Sequence, residues 1–172
     1  MIPELTDLKR PRRWLLEAVR LFVERASRLE GVEWIALMGS LTSQKANPKD
    51  ADVLVSIRPE TDMGKLAAIG RGLKGRCQNV NRGADIFLAQ DGRYLGRTCR
   101  HREVFHRVAC ENFGCSSDRP HLCDTSLVFR LADSLVADPP IRLWPEFKAS
   151  VKAPEDVLEI LGSPAERGIS PS

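Results

Sequence analysis

The chain has 172 residues, 42% apolar and 28% charged, with a net charge of +3; this suits one soluble globular domain with a small appendage, long enough to bury a core. No apolar run approaches the ~20 residues needed to span a bilayer, and "MIPELTDLKRPRRW" has no apolar stretch behind its charges, so neither a membrane span nor a secretory signal is expected and a cytoplasmic location follows. Five cysteines are an odd number without an export signal, which argues against a disulfide framework, and the mild positive charge gives only weak support for a polyanion partner.

Pro11 opens a helical pattern, a favoured place for proline. Leu15, Ala18, Val19, Phe22, Ala26 and Leu29 then recur at helical spacing until Gly31, which predicts a helix over 12–29. "VEWIALMG" (32–39) reads as a buried strand, and "ADVLVSI" (51–57) as a second, stopped by Pro59. "MGKLAAIGRGLKGR" (63–76) has a helical pattern weakened by Gly70 and Gly72. "GADIFLA" (83–89) is a third, short apolar strand. Helix, strand, polar connection, strand, helix, strand argues for the α+β or α/β class, with a small sheet flanked by helices.

Beyond residue 90 the chain turns Arg-, Cys- and His-rich with little periodicity. Residues 125–140 read as a short strand or helix. "PEDVLEILG" makes one or two helical turns before a Gly/Pro/Ser tail, which is expected to be disordered. The expected organisation is a core at 1–92, an Arg/Cys/His-rich segment packing on it at 93–153, and a short helix with its tail at 154–172.

Aspartate is a poor strand residue, yet Asp50 and Asp52 open the second strand and, by alternation, share one face. Two carboxylates so placed repel each other unless a cation lies between them. Mg²⁺ takes a few carboxylates together with water and phosphate oxygens. Two such ions about 4 Å apart hold the attacking and leaving oxygens of a phosphoryl or nucleotidyl transfer. A third carboxylate is then expected from a neighbouring strand, and Asp85 is the only acidic residue inside the third apolar segment. Gly39-Ser40 closes the first strand; a helical turn just after it would offer N–H groups to an anion, with Gly39 allowing close approach and the Ser40 hydroxyl donating. The plain alternative has Asp50 capping a turn after Pro48, Asp52 exposed on an edge strand and Asp85 paired with an arginine.

Met38-Gly39-Ser40, nine intervening residues, Asp50-Ala51-Asp52-Val53-Leu54-Val55 and then Asp85 resemble the nucleotidyltransferase superfamily of DNA polymerase beta, poly(A) polymerases, kanamycin nucleotidyltransferase and the minimal nucleotidyltransferases. The resemblance covers residues 12–89. It implies a nucleotidyltransferase-like fold around a mixed sheet, with Asp50, Asp52 and Asp85 as catalytic ligands of two Mg²⁺ ions. It also implies an NTP whose phosphates lie against Gly39, Ser40 and Lys49, and attack by an acceptor hydroxyl on the α-phosphorus that expels pyrophosphate. The chain departs from the minimal members at "LTSQKA", where they carry an arginine and a second glycine; Lys45 and Lys49 are the cations left to meet phosphate.

Cys99, His101, His106, Cys110, Cys115, His121 and Cys123 cluster within 25 residues. Thiolates and imidazoles suit tetrahedral Zn²⁺, and a metal staple would order a segment without its own core. The best set is Cys99, Cys110, Cys115 and His121, with Cys123 as runner-up; reduced, packed thiols are the alternative, and Cys77 reads as core. Arg93, Arg97, Arg100, Arg102 and Arg107 could clamp a triphosphate or a nucleic-acid backbone, with Tyr94 and Phe105 as stacking candidates; a solvated basic face is the alternative. Trp14, Trp34 and Trp144 read as core anchors. The leading expectation is a Mg²⁺-dependent nucleotidyltransferase with an unidentified hydroxyl acceptor. The alternative is a non-catalytic module of the same fold that binds nucleic acid or a partner protein, an antitoxin role included.

Overall fold

The computed structural model describes residues 11–99, 118–123 and 129–163. Helix α1 (Pro11–Ala26) precedes strand β1 (Val32–Met38), a 3₁₀ turn (Gly39–Thr42), strand β2 (Asp50–Ile57), helix α2 (Met63–Gln78) and strand β3 (Gly83–Gln90). Strands β4 (Arg93–Thr98) and β5 (Leu122–Cys123), helix α3 (Asp133–Ala137), strands β6 (Ile141–Trp144) and β7 (Lys148–Ala149), and helix α4 (Glu155–Leu161) follow. The class is α+β. Among the described residues the strands form one seven-stranded sheet in the order β5-β4-β3-β2-β1-β6-β7. β2 and β3 pair in parallel, joined by α2, and every other pair is antiparallel.

Strand alternation sends Ala51, Val53 and Val55 of β2 and Ala84, Ile86 and Leu88 of β3 to one face. There they meet Leu15, Val19 and Phe22 of α1, Leu66, Leu73 and Cys77 of α2, and Val157 and Ile160 of α4 in the main core. Asp62 caps α2 by accepting from the Lys65 N–H at 3.0 Å. The Trp14 indole donates to the Arg76 carbonyl at 2.7 Å and ties α1 to α2. The opposite face is covered more thinly: Ala36, Met38, Leu54, Phe87 and Ala89 pack with Tyr94, Leu131 and Val136 of α3. Asp50, Asp52 and Asp85 share that second face by alternation, at the end where β2 and β3 begin.

The segment beyond residue 90 is more regular than its composition suggests. "RYLGRT" is strand β4, with Tyr94, Gly96 and Thr98 buried, Leu95 and Arg97 half-buried between them and Arg93 exposed. β6 and β7 extend the sheet beyond β1. Tyr94 is 9% exposed and packs against Phe87 at a ring separation of 6.4 Å, so it is a core residue and not a stacking platform for bases. Trp14, Trp34 and Trp144 are half-buried at the rim of the core rather than inside it; the Arg142 guanidinium lies 4.9 Å from the centre of the Trp34 ring. Phe105, Arg100, Arg102 and Arg107 lie outside the described residues. No helix among the described residues is long and apolar enough to cross a membrane.

Candidate active site

Antiparallel pairing of β1 with β2 places Met38 opposite Asp52, so the turn after β1 begins beside that carboxylate although nine residues separate Ser40 from Asp50 in sequence. Gly39 has φ +64°, and a Cβ there would collide with Asp52 Oδ2. Glycine is therefore required by backbone conformation and by space. Parallel pairing of β2 with β3 places Asp52 beside Asp85 and Asp50 beside Gly83. A Cβ at residue 83 would collide with Asp50 Oδ1, so the second glycine makes room for the other carboxylate. The Gly83 N–H donates to the Lys49 carbonyl at 3.1 Å and sets the start of the ladder.

The three carboxylates are not equivalent. Asp50 is exposed; Asp52 and Asp85 are half-buried. Asp50 and Asp52 make no hydrogen bond or ion pair among the described residues. Asp85 Oδ1 lies 3.6 Å from Lys74 Nζ and 3.3 Å from Arg97 Nη1. Burial, and then the charges of Asp85 and Asp50, push the Asp52 carboxyl up from the ordinary 3.8 to about 7, with Lys74 opposing. Beside the carboxylates opens a cleft of about 400 Å³, lined by Asp50, Arg71, Lys74, Gln78, Gly83 and Asp85 among others. Asp52 thus lies on an interior strand and is no surface residue of an edge. Asp85 is paired with an arginine, as the plain alternative held.

The turn after β1 is closed on itself. The Thr42 hydroxyl donates to the Gly39 carbonyl at 2.7 Å and the Ser43 hydroxyl to the Ser40 carbonyl at 3.0 Å. The Ser40 hydroxyl has no partner among the described residues. Lys45 and Lys49 are exposed. The turn and the loop after it are held from α1: the Arg12 guanidinium donates to the Leu41 carbonyl at 3.1 Å and to the Lys45 carbonyl at 3.0 Å. The same group forks onto Asp156 of α4 at 2.6 and 3.1 Å. The Arg12 side chain is 11% exposed and that of Asp156 33%. Arg12→Met, which keeps the aliphatic stem, is expected to cost about 1–2 kcal/mol in urea unfolding. An unchanged unfolding midpoint would show that the clamp contributes nothing.

The donor chemistry around Asp50 and Asp52, all carboxylate oxygen, suits a hard divalent cation. Among the described residues, however, no group of three or more His, Cys, Asp or Glu side chains stands arranged to hold a metal ion. Asp85 itself faces two cationic side chains, Lys74 and Arg97. Of the three aspartates, Asp50 and Asp52 are left without an ion pair among the described residues, and an ion at Asp85 would meet Lys74 and Arg97. Of the Zn²⁺ ligands expected, Cys110 and Cys115 lie outside the described residues. Cys99 is buried, and its N–H donates to the His121 carbonyl at 2.6 Å. The His121 ring lies toward Gly64 of α2, and Cys123 pairs with Arg97 in the sheet. Cys77, Cys99 and Cys123 are in no disulfide; burial pushes the Cys77 thiol up to about 12, which makes it an inert core group.

Sequence reasoning missed Lys74, Arg71 and Arg12, and offered Arg97 as either a clamp on phosphate or part of a solvated basic face; it faces Asp85. Charged residues on helices default to solvent, and nothing in the local pattern of "GRGLKGR" marks Lys74 as facing a carboxylate. No family model, curated protein or solved structure matches this chain.

Proposed function

We propose that the chain is a Mg²⁺-dependent nucleotidyltransferase that moves a nucleotidyl group from an NTP to a hydroxyl acceptor. The observation that carries this reading is the meeting of Gly39, at positive φ, with the carboxylate of Asp52, which makes no hydrogen bond or ion pair among the described residues, and with its ladder neighbour Asp85. A bare glycine turn beside Asp52, a carboxylate in no ion pair among the described residues, is a poor arrangement for stability and a good one for receiving a cation with its phosphate oxygens. When bound, Mg²⁺ supplies neutralisation of phosphate charge at the transition state. Asp50 and Asp52 would hold it through their carboxylate oxygens. Gly39 lets phosphate approach the backbone, and the Ser40 hydroxyl donates to a phosphate oxygen. Asp85, fixed by Lys74 and Arg97, orients the acceptor hydroxyl. Arg12 acts at one remove, by holding the turn through its carbonyls.

Titration calorimetry with each NTP, with and without Mg²⁺, tests the reading. Binding is expected only with Mg²⁺, and transfer of labelled nucleotide is expected to fall at least ~100-fold in Asp52→Asn. No NTP binding in Mg²⁺ buffer, or unchanged transfer by Asp52→Asn, overturns it. The engagement of Asp85 by two cations favours a second reading, a non-catalytic module of this fold that binds nucleic acid. That reading expects steeply salt-dependent nucleic-acid binding which survives in Asp50→Asn/Asp52→Asn.

A further inference from the structure

Lys74 and Arg97 reach Asp85 from different elements. β4 pairs with β3 from Phe87 to Gln90, so the stretch of β3 that carries Asp85 has no neighbour from β4 among the described residues. Lys74, on α2, comes within 3.6 Å of Asp85 Oδ1 across that stretch, and Arg97 within 3.3 Å from β4. The two side chains are only 16% and 25% exposed, so these are covered cations rather than a solvated surface pair. Neither can withdraw easily. Leu73 and Cys77, on either side of Lys74, are buried in the main core, and Arg97 is held by ladder pairing with Phe87 and Cys123.

A lysine and an arginine together carry the charge of one divalent ion. Resting on the nucleotidyltransferase reading, we infer that Lys74 and Arg97 take the place of the second metal at Asp85, so that the centre binds a single divalent cation, at Asp50 and Asp52. A second ion would have to approach Asp85 against two positive charges a few ångströms away, at a cost that rises as solvent is excluded. Asp50 and Asp52, which are in no ion pair among the described residues, remain the open ligands. Lys74 and Arg97 then serve as fixed donors for the acceptor oxygen or a phosphate oxygen, with no ion to be lost between turnovers.

Mn²⁺ alone, titrated into the full chain and counted by electron paramagnetic resonance, tests this. About one ion per wild-type chain is expected, and about two in Lys74→Met/Arg97→Met, where the charge is removed and the bulk kept. About two ions in the wild type, or still one in the folded double variant, overturns the inference while leaving Mg²⁺-dependent NTP binding intact. No Mn²⁺ uptake by the wild type overturns the inference and, with it, the metal-dependent reading. If the double variant does not fold, Lys74→Met alone is counted, with a rise above one expected, and the wild-type number still decides.

Discussion

Asp52→Asn is expected to make the metal-free protein more stable at pH 8 while removing its Mg²⁺ response. The sign follows from the carboxyl being pushed up from 3.8 to about 7 in the folded chain, first by burial and then by Asp85 and Asp50. Between those values the native state holds a proton that the unfolded state has released. Stability associated with Asp52 is therefore complete below about pH 4 and lost as pH rises through about 7. The full shift corresponds to at most about 4 kcal/mol, and water reaching a half-buried side chain reduces this to ~2–3 kcal/mol. Asparagine fills the same space without charge and escapes the loss. Thermal melts from pH 4 to 8 should show a falling wild-type midpoint and a flatter one for Asp52→Asn, with the curves meeting at low pH. Mg²⁺ at pH 8 should raise the wild-type midpoint and leave that of the variant alone. Parallel curves for the two proteins would mean that Asp52 is not a strained carboxylate.

This stored cost is a physical reason for part of the centre having been legible in the sequence. An acidic residue inside an apolar strand conflicts with local propensity, and Asp52 and Asp85 both stand in such strands. α1, β1, β2, α2 and β3 announced themselves through apolar repeats at helical or strand spacing, with ends shifted by a few residues: α1 stops at Ala26 rather than 29, and Gly39 belongs to the turn and not to β1. β4 did not, because Arg93 and Arg97 alternate with its buried positions and Gly96 interrupts its pattern. β6 and β7 are only four and two residues long, too short for any period to show. The cations at Asp85 were hidden for another reason. Lys74 and Arg97 lie 11 and 12 residues from Asp85, on α2 and β4, and only the pairing of three strands and the seating of α2 bring them together. Arg12 and Asp156 are 144 residues apart, and their clamp on the turn is a product of tertiary packing that no local pattern records.

Gly39→Ala should cost ~2–4 kcal/mol in urea unfolding and displace the Asp52 carboxylate. Two effects add. A φ of +64° disfavours any residue with a Cβ by about 1–2 kcal/mol, and the new methyl collides with Asp52 Oδ2, which must rotate away or strain the turn. A double-mutant cycle separates them. In an Asp52→Ala background the nearest remaining contact is with the Cβ at 3.4 Å, an ordinary van der Waals distance, so Gly39→Ala should cost only ~1–2 kcal/mol there, a coupling of about 1–2 kcal/mol. The displaced carboxylate provides an independent readout. Pushed toward water and away from Asp85, it should titrate in Gly39→Ala well below the value near 7 of the wild type, as followed by carboxyl ¹³C NMR. Equal costs in the two backgrounds with an unmoved titration would show that Gly39 serves the turn alone. A large coupling with a lowered titration would show that the glycine is there to keep Asp52 where it is least comfortable without a cation.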